Sequence, residues 1–298
     1  MESTRPLGLG AALGLIGLCA IWGLGQVAIK VGNSGISPLM QAGLRSVGAT
    51  LLLFIWCRAR GVRLHEPDGA WRPGVIAGLL FALEFLLLYW GLEYTSAARS
   101  VVFLNTSPFF VALGAHWVIA GDRFTPGKIF GLIAAFAGVL VAFSDGLRAS
   151  THASVIGDAM CLGAAIAWGA TTVLIKATAL ARIRPERTLM YQLAVSACVL
   201  PAASLLAGEA GVTSLSPLVL TAFGYQVIAI AFISYVLWFW FLTRYPASQV
   251  ASFVFLTPVF GVAAGAVLLD ERVNAALSIA LILIAAGIYV INRPAQRP

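Results

Sequence analysis

Gly17 to Val31 reads GLCAIWGLGQVAIKV, and 146 positions later Gly163 to Ala177 reads GAAIAWGATTVLIKA. Six of the fifteen columns are identical: Gly17/Gly163, Trp22/Trp168, Gly23/Gly169, Val27/Val173, Ile29/Ile175 and Lys30/Lys176. A Trp-Gly pair recurs easily by chance in an apolar chain. The same pair followed by a Lys eight residues after the Trp implies two homologous halves, and such a repeat has to be placed before any local feature is read.

Composition says what kind of halves these are. Of 298 residues, 60% are apolar and only 10% are charged, and the mean hydropathy is +0.93. A soluble domain carries about a quarter charged residues, so this chain cannot cover itself with polar surface and its solvent is lipid. The net charge of +7 then bears on membrane orientation, and no basic cluster with interleaved aromatics suggests a nucleic-acid partner. Cys19, Cys57, Cys161 and Cys198 lie in apolar runs with no CxxC spacing and read as small buried hydrophobes. His65, His116 and His152 are scattered and define no metal constellation, and no cofactor is implied. The first apolar run is too long for a signal-peptide core and lacks a clear cleavage site, so it reads as a span.

A spanning helix needs about 20 mostly apolar residues. Ten such segments are predicted: Leu7–Ile29, Pro38–Cys57, Pro73–Glu93, Arg99–Ala120, Gly127–Ser144, Ser154–Ala177, Glu186–Gly208, Ser216–Thr243, Ala247–Leu269 and Val273–Ile291. The expected fold is an all-α membrane protein of ten transmembrane helices, divided into a first repeat over 1–147 and a second over 148–298. Lys and Arg concentrate on the cytoplasmic side of a membrane protein. With the N-terminus inside, fourteen of the 19 basic residues fall on the cytoplasmic side. Four (Lys30, Arg99, Arg148, Arg272) fall outside, and Arg45 is left within a span. Both termini are therefore expected in the cytoplasm. Five spans per half is an odd number, so the second copy crosses in the opposite sense. Inverted repeats of this sort characterise secondary transporters, whose solute site lies near the midplane between the halves.

The closing part of each half matches too. The stretch from Thr95, TSAARSVVFLNTSPFF, aligns with that from Tyr245, YPASQVASFVFLTPVF. The pairs are Trp90/Trp240, Ala97/Ala247, Phe103/Phe253, Pro108/Pro258 and Phe110/Phe260; after a one-residue gap come Asp122/Glu271, Arg123/Arg272 and Gly138/Gly287. A Ser-Ala turn, an apolar helix with a central Pro, an acidic-Arg turn and a Gly-rich closing helix, all twice, resemble the EamA domain. Two such domains in ten helices look like the drug/metabolite transporter superfamily. The chain departs from the pattern at Gly121-Asp122, where Gly-Glu is usual, and at Arg99, where a small residue is usual. Its overall look is similar to YddG-type amino-acid exporters. That resemblance implies outward movement of aromatic and other apolar amino acids across a bacterial inner membrane.

Polar positions that correspond in the two halves are expected around one pseudo-symmetric cavity. They are Trp22/Trp168 with Gln26/Thr172 a turn further along, Gln41/Thr188 with Arg45/Gln192 a turn on, Glu84/Ser234 beside Phe85/Tyr235, and Asn105/Phe255 close to the paired prolines. Residues four apart share a helix face. The candidate substrate-binding set is Trp22, Gln26, Gln41, Arg45, Glu84, Asn105, Trp168, Thr172, Tyr191, Gln192, Ser234 and Tyr235. Each has a plainer reading: the tryptophans as lipid-facing or interfacial rings, Tyr191 and Tyr235 as packing. Arg45 and Glu84 lie well inside predicted spans, where a charge costs at least ~2.5–3.5 kcal/mol. They are either a buried structural pair or the groups that meet a zwitterionic solute. No phosphate-binding GxxxxGK[ST] run is present, so transport would draw on gradients. An intramembrane lipid-modifying enzyme would need a catalytic cluster at one face, and the sequence holds no HxxxH, HExxH or GxSxG. A drug exporter or nucleotide-sugar carrier would share the architecture, but a nucleotide sugar would want several cations near the midplane, where only Arg45 stands. The expected partners are thus a small-molecule solute and membrane lipid.

The orientation is testable without reference to any relative. Single cysteines at Arg63 and Ser150 in a cysteine-free background should react with an impermeant thiol reagent in intact cells at 150 and not at 63. Labelling at 63 alone would reverse the assignment.

Overall fold

In lipid a backbone amide or carbonyl has no water to turn to, and a helix satisfies all of them within one segment. The computed structural model describes residues 7–64, 66–95, 97–119, 121–142, 152–261 and 275–292. The described residues are almost entirely helical, with one isolated β-bridge between Ile36 and Val212. We number ten segments: α1 Leu9–Asn33, α2 Pro38–Ala59, α3 Trp71–Tyr94, α4 (Ala97–Leu104 continued by Ser107–Val118), α5 Pro126–Ala142, α6 His152–Ala177, α7 Pro185–Leu206, α8 Pro217–Arg244, α9 Ala247–Gly261 and α10 Ala275–Asn292. Seven of these spans are long and apolar enough to cross a membrane, and the described parts of α5, α9 and α10 are shorter apolar helices. The first helix runs four residues past its expected end and stops only at the Ser34–Gly35 turn. The expected connection Gly146–Ala153 and the acidic-Arg turn Asp270–Arg272 lie outside the described residues, apart from the backbone of His152 and Ala153 at the start of α6.

The packing carries the repeat. Helix α3 lies on α6 as α8 lies on α1; α3 meets α7 as α8 meets α2; α4 meets α6 as α9 meets α1. Helices α2 and α7, α4 and α9, and α5 and α10 each pack on their own counterpart. The repeated Trp90 and Trp240 sit near the C-terminal ends of α3 and α8 with 39% and 38% of their surface exposed, toward opposite membrane faces.

Two helices are broken where their repeats correspond. Proline lacks an N–H and its ring clashes with the carbonyl four residues earlier. Pro108 sets the break after Leu104 in α4, and Pro258 sets the 3-10 turn Phe253–Leu256 in α9. The glycine of each Trp-Gly pair fits against these breaks. A Cβ on Gly23 would come within 2.8 Å of the Thr257 carbonyl, the Gly261 amide and Phe260. A Cβ on Gly169 would come within 2.7 Å of Phe110. The pair thus fixes a tryptophan beside a broken helix in each half. One cysteine expectation is corrected: Cys19, Cys57 and Cys161 are buried, but Cys198 is exposed on the lipid-facing side of α7, where a thiol is as compatible with hydrocarbon as in a core.

The close approach predicts a contrast. Gly23→Ala and Gly169→Ala should each lower thermal stability in detergent, since overpacking a tight contact costs roughly 1–3 kcal/mol. Gly17→Ala has nothing within 4 Å of the added carbon and should be neutral or gain up to ~1 kcal/mol from helix propensity. Equal effects at all three positions would show that the Trp-Gly contact is not tight.

Candidate functional site

Near the middle of the bundle the two repeat tryptophans meet on a third. The Trp22 indole donates to the Ser234 hydroxyl at 2.7 Å, and Ser234 in turn donates to the Ile230 carbonyl at 2.6 Å. The Trp22 ring stands edge-on to Trp238 at 5.2 Å and to Tyr235 at 6.1 Å. Trp168 stacks on the same Trp238 at 5.4 Å with an interplanar angle of 26°. Tyr235 continues to Phe81 at 5.6 Å, and Phe81 to Phe85 at 4.8 Å. Over the Phe85 face, 4.0 Å from its centroid, lies the Arg45 guanidinium. Offset and edge-to-face rings are the favoured aromatic geometries, and a cation over a ring face is held by the ring quadrupole.

Local structure explains why α8 supplies three of these side chains. Its middle, Gln226–Ser234, is π-helical, a form that appears at functional sites. Gln226, Ile230, Ser234 and Trp238 recur every four residues and are all buried. Helix α3, its repeat mate, is α-helical throughout and carries Phe81, Glu84, Phe85 and Tyr89 on one buried face.

Arg45 and Glu84 are 1% and 6% exposed. The two make no direct ion pair, which sets aside their reading as a buried structural bridge. Arg45 Nε and Nη2 and Glu84 Oε2 have no hydrogen-bond partner among the described residues. Buried polar atoms are ordinarily paired, and these sit one turn or less from the aromatic box.

The other candidates disperse. Gln41 belongs to a closed network: it donates to Asn33 at 2.6 Å and accepts from Gln226 at 2.6 Å, while Tyr89 donates to Gln226 at 3.3 Å. Thr172 donates to the Trp168 carbonyl of its own helix. Tyr191 packs against α3, where a Cβ on Gly74 would strike its ring. Gln192 is fully buried in α7 with both amide atoms unpaired among the described residues. Asn105 sits at the α4 break, donating to Val101 with its carbonyl oxygen unpaired. The side chain of Gln26 lies outside the described residues. Sequence analysis did not place Trp238 in the candidate set: its repeat mate is Leu88, which hides it from a search for matching pairs. It named Phe85 only beside Tyr235 and did not reach Phe81.

The ends of the bundle are tied across the repeat. The Glu209 carboxylate, in the connection after α7, accepts from the Leu39 and Met40 amides at the start of α2, both at 3.1 Å, and from Ser204 at 2.6 Å. In the corresponding place at the other end, Arg187 near the start of α7 donates to Asp68 at 2.5 Å and Glu66 at 3.1 Å, in the connection after α2. Arg99, the departure from the small-residue pattern, is paired with Asp158 of α6. Asp122 does more than close its own turn: it takes Lys128 at 2.6 Å and reaches across the repeat to the amide of Ser248, at 3.0 Å, and its hydroxyl at the start of α9.

Comparison with known proteins gives a consistent result. The model of the EamA-like transporter family matches twice, over residues 9–144 and 155–293. An "Uncharacterized transporter" of Archaeoglobus fulgidus is 30% identical over 278 residues, covering 91% of this chain and 93% of that one. A "Probable amino-acid metabolite efflux pump" of Escherichia coli is 28% identical over 280 residues, covering 91% and 90%. A crystal structure 21% identical in sequence shares the fold, with a TM-score of 0.79 over 95% of this chain and 96% of that one.

The tie at α9 makes a pH prediction. Burial works against ionisation of Asp122, but the Lys128 ammonium and the two Ser248 donors outweigh it and hold the carboxyl below the usual carboxylate range. A depressed folded-state value means the contribution is complete above the ordinary aspartate pKa of about 3.9 and is lost as pH falls through the folded one. The thermal-stability gap between wild type and Asp122→Asn should therefore be constant above about pH 5 and narrow as pH drops below about 4. A gap unchanged down to pH 3 would mean the charge is not what matters.

Proposed function

The chain belongs to the EamA-like transporter family, and from that premise we propose that it exports aromatic and other apolar amino acids by alternating access of its two five-helix halves. The observation that carries this reading is the pair Arg45 and Glu84. A buried charge in a membrane span is expensive, and here Arg45 lies over the ring of Phe85, the residue after Glu84, without pairing with Glu84, with unsatisfied polar atoms on both. A zwitterionic amino acid supplies what each lacks: its carboxylate for the guanidinium and its ammonium for the carboxylate. Trp22, Trp168, Trp238, Tyr235 and Phe81 form an apolar aromatic lining for its side chain, with few other charges to favour a polyanionic solute. The rings close on one another, so a solute passes only by parting them, as an occluding layer requires.

The name of the Escherichia coli relative, an amino-acid metabolite efflux pump, supports the same class. The orientation belongs to this proposal: a bacterial inner membrane with both termini cytoplasmic. Supporting it, the cation–aromatic pairs Arg60 on Trp56, Arg72 on Trp71 and Arg244 on Trp240 all fall at helix ends assigned to the cytoplasmic face, where basic residues and interfacial tryptophans anchor a span.

Cells producing the protein should resist toxic aromatic amino-acid analogues; hypersensitivity would indicate uptake, and no effect across a panel would remove amino acids as solutes. In proteoliposomes without ATP, flux should saturate. Trp168→Ala and Trp238→Ala should weaken apparent affinity for aromatic solutes by up to about tenfold and for small aliphatic ones by less. Wild-type kinetics for every solute in both variants would place these rings outside the path.

A further inference from the structure

The face assigned to the cytoplasm holds a cleft of about 670 Å³ between the connection after α2 and the one joining α6 to α7. Its walls carry Arg63, Glu66, Asp68, Arg182, Arg184 and Arg187, four cations against two anions. Five of these side chains are loop or helix-end groups. Arg187 differs: only 4% of its side chain is exposed, and it makes the contacts to Asp68 and Glu66 that tie the two connections together.

Those contacts use one corner of the guanidinium. Both carboxylates are reached by Nη1, while Nε and Nη2 are buried with no partner among the described residues. Nε and Nη2 form one edge of the planar fork, and such an edge matches the two oxygens of a carboxylate in a bidentate pair. At the cleft wall Arg187 therefore keeps an unpaired, buried recognition edge, beside an excess of positive charge to draw an anion toward it and two internal carboxylates already competing for the same cation.

We propose that this cleft is a capture site for a small-molecule carboxylate, whose bidentate contact with Arg187 displaces Asp68 and Glu66 and releases the connection after α2 from α7. The inference rests on the export reading, in which the solute arrives from this face. Because the Nε–Nη2 edge is buried, reaching it requires the connection to move, so capture and unlatching are one event. Arg45, in the interior on the partner helix α2, presents the same unpaired Nε–Nη2 edge. The solute's carboxylate thus passes from one arginine edge to another.

The test is thiol labelling of Ala179→Cys, which lines the cleft, in an otherwise cysteine-free protein in nanodiscs, with L-phenylalanine as the probe. At ten times its dissociation constant the amino acid should slow labelling by about tenfold. Phenethylamine, which lacks the carboxylate, should not slow it, and Arg187→Gln should abolish the protection. Asp68→Asn, which removes a competitor and leaves the guanidinium intact, should give the same protection at severalfold lower concentration, a gain that misfolding cannot produce. The proposal is overturned by protection that phenethylamine matches, or that survives Arg187→Gln. Protection by inorganic phosphate and not by phenylalanine, dependence on the phosphatidylglycerol content of the nanodisc in place of the amino acid, or no protection at all would overturn it equally. Arg45→Gln separates the two readings: it should slow transport severalfold and leave cleft protection intact. Normal transport by Arg45→Gln would remove the central-site reading while the labelling result still decides the cleft.

Discussion

Lipid offers the backbone nothing to bond to, and that constraint determines which parts of this structure need explaining. Most of the chain complies by forming uninterrupted helices. Among the described residues the departures include the break at Pro108, its mate at Pro258, the π-helical middle of α8, and the unpaired Arg45 and Glu84. Irregular backbone and buried charge inside a membrane are tolerated where they line a path or a site. These departures converge: Ser234 and Trp238 of α8 hold the tryptophans of α1 and α6, each of which is pressed by its neighbouring glycine against one of the broken helices. Arg45 and Glu84 border the same rings.

The scaffold is symmetric but its chemistry is not. The main helix contacts have counterparts in the other repeat, and each bundle end is tied by the connection that follows α2 or α7. The charges are placed once. Arg45 corresponds to Gln192 and Glu84 to Ser234, so the cation and the anion both come from one half. The ties differ too. The Glu209 tie is to backbone amides and a hydroxyl, whereas the Arg187 tie is an ion pair whose carboxylates are partly open to water. The arginine holds Asp68 below the usual carboxylate range, so that tie is charged throughout the physiological range.

Much of this was legible in the chain. The Trp-Gly repeat and the ten apolar runs gave the element order, because hydropathy at span length and residue identity at fixed offset are both local signals. The pairing of Trp22 with Trp168 was legible for the same reason. What joins them was not: Trp238 has a leucine as its mate, and Ser234 gave no hint that it would accept an indole N–H across 212 positions. Arg187 entered the reading only as one more positive charge, since its partners Glu66 and Asp68 lie in a different repeat. The π-helical turns of α8 have no sequence signature in an apolar run. Tyr191 and Gln41 looked like cavity groups because polarity inside a span attracts notice. Glycine contacts and a closed amide network, both tertiary, absorb them.

The central claim is that two unpaired interior charges read the two ends of a zwitterion. Counterflow of labelled phenylalanine in proteoliposomes, competed by phenethylamine and by phenylpropionate, tests it directly when run on wild type, Arg45→Gln and Glu84→Gln. Wild type should be inhibited by phenylalanine far better than by either analogue. Residual flux in Arg45→Gln should no longer distinguish phenylalanine from the amine that lacks its carboxylate, and residual flux in Glu84→Gln should no longer distinguish it from the acid that lacks its ammonium. A uniform loss of preference in both variants, or a wild-type protein indifferent to which end is missing, would contradict the account.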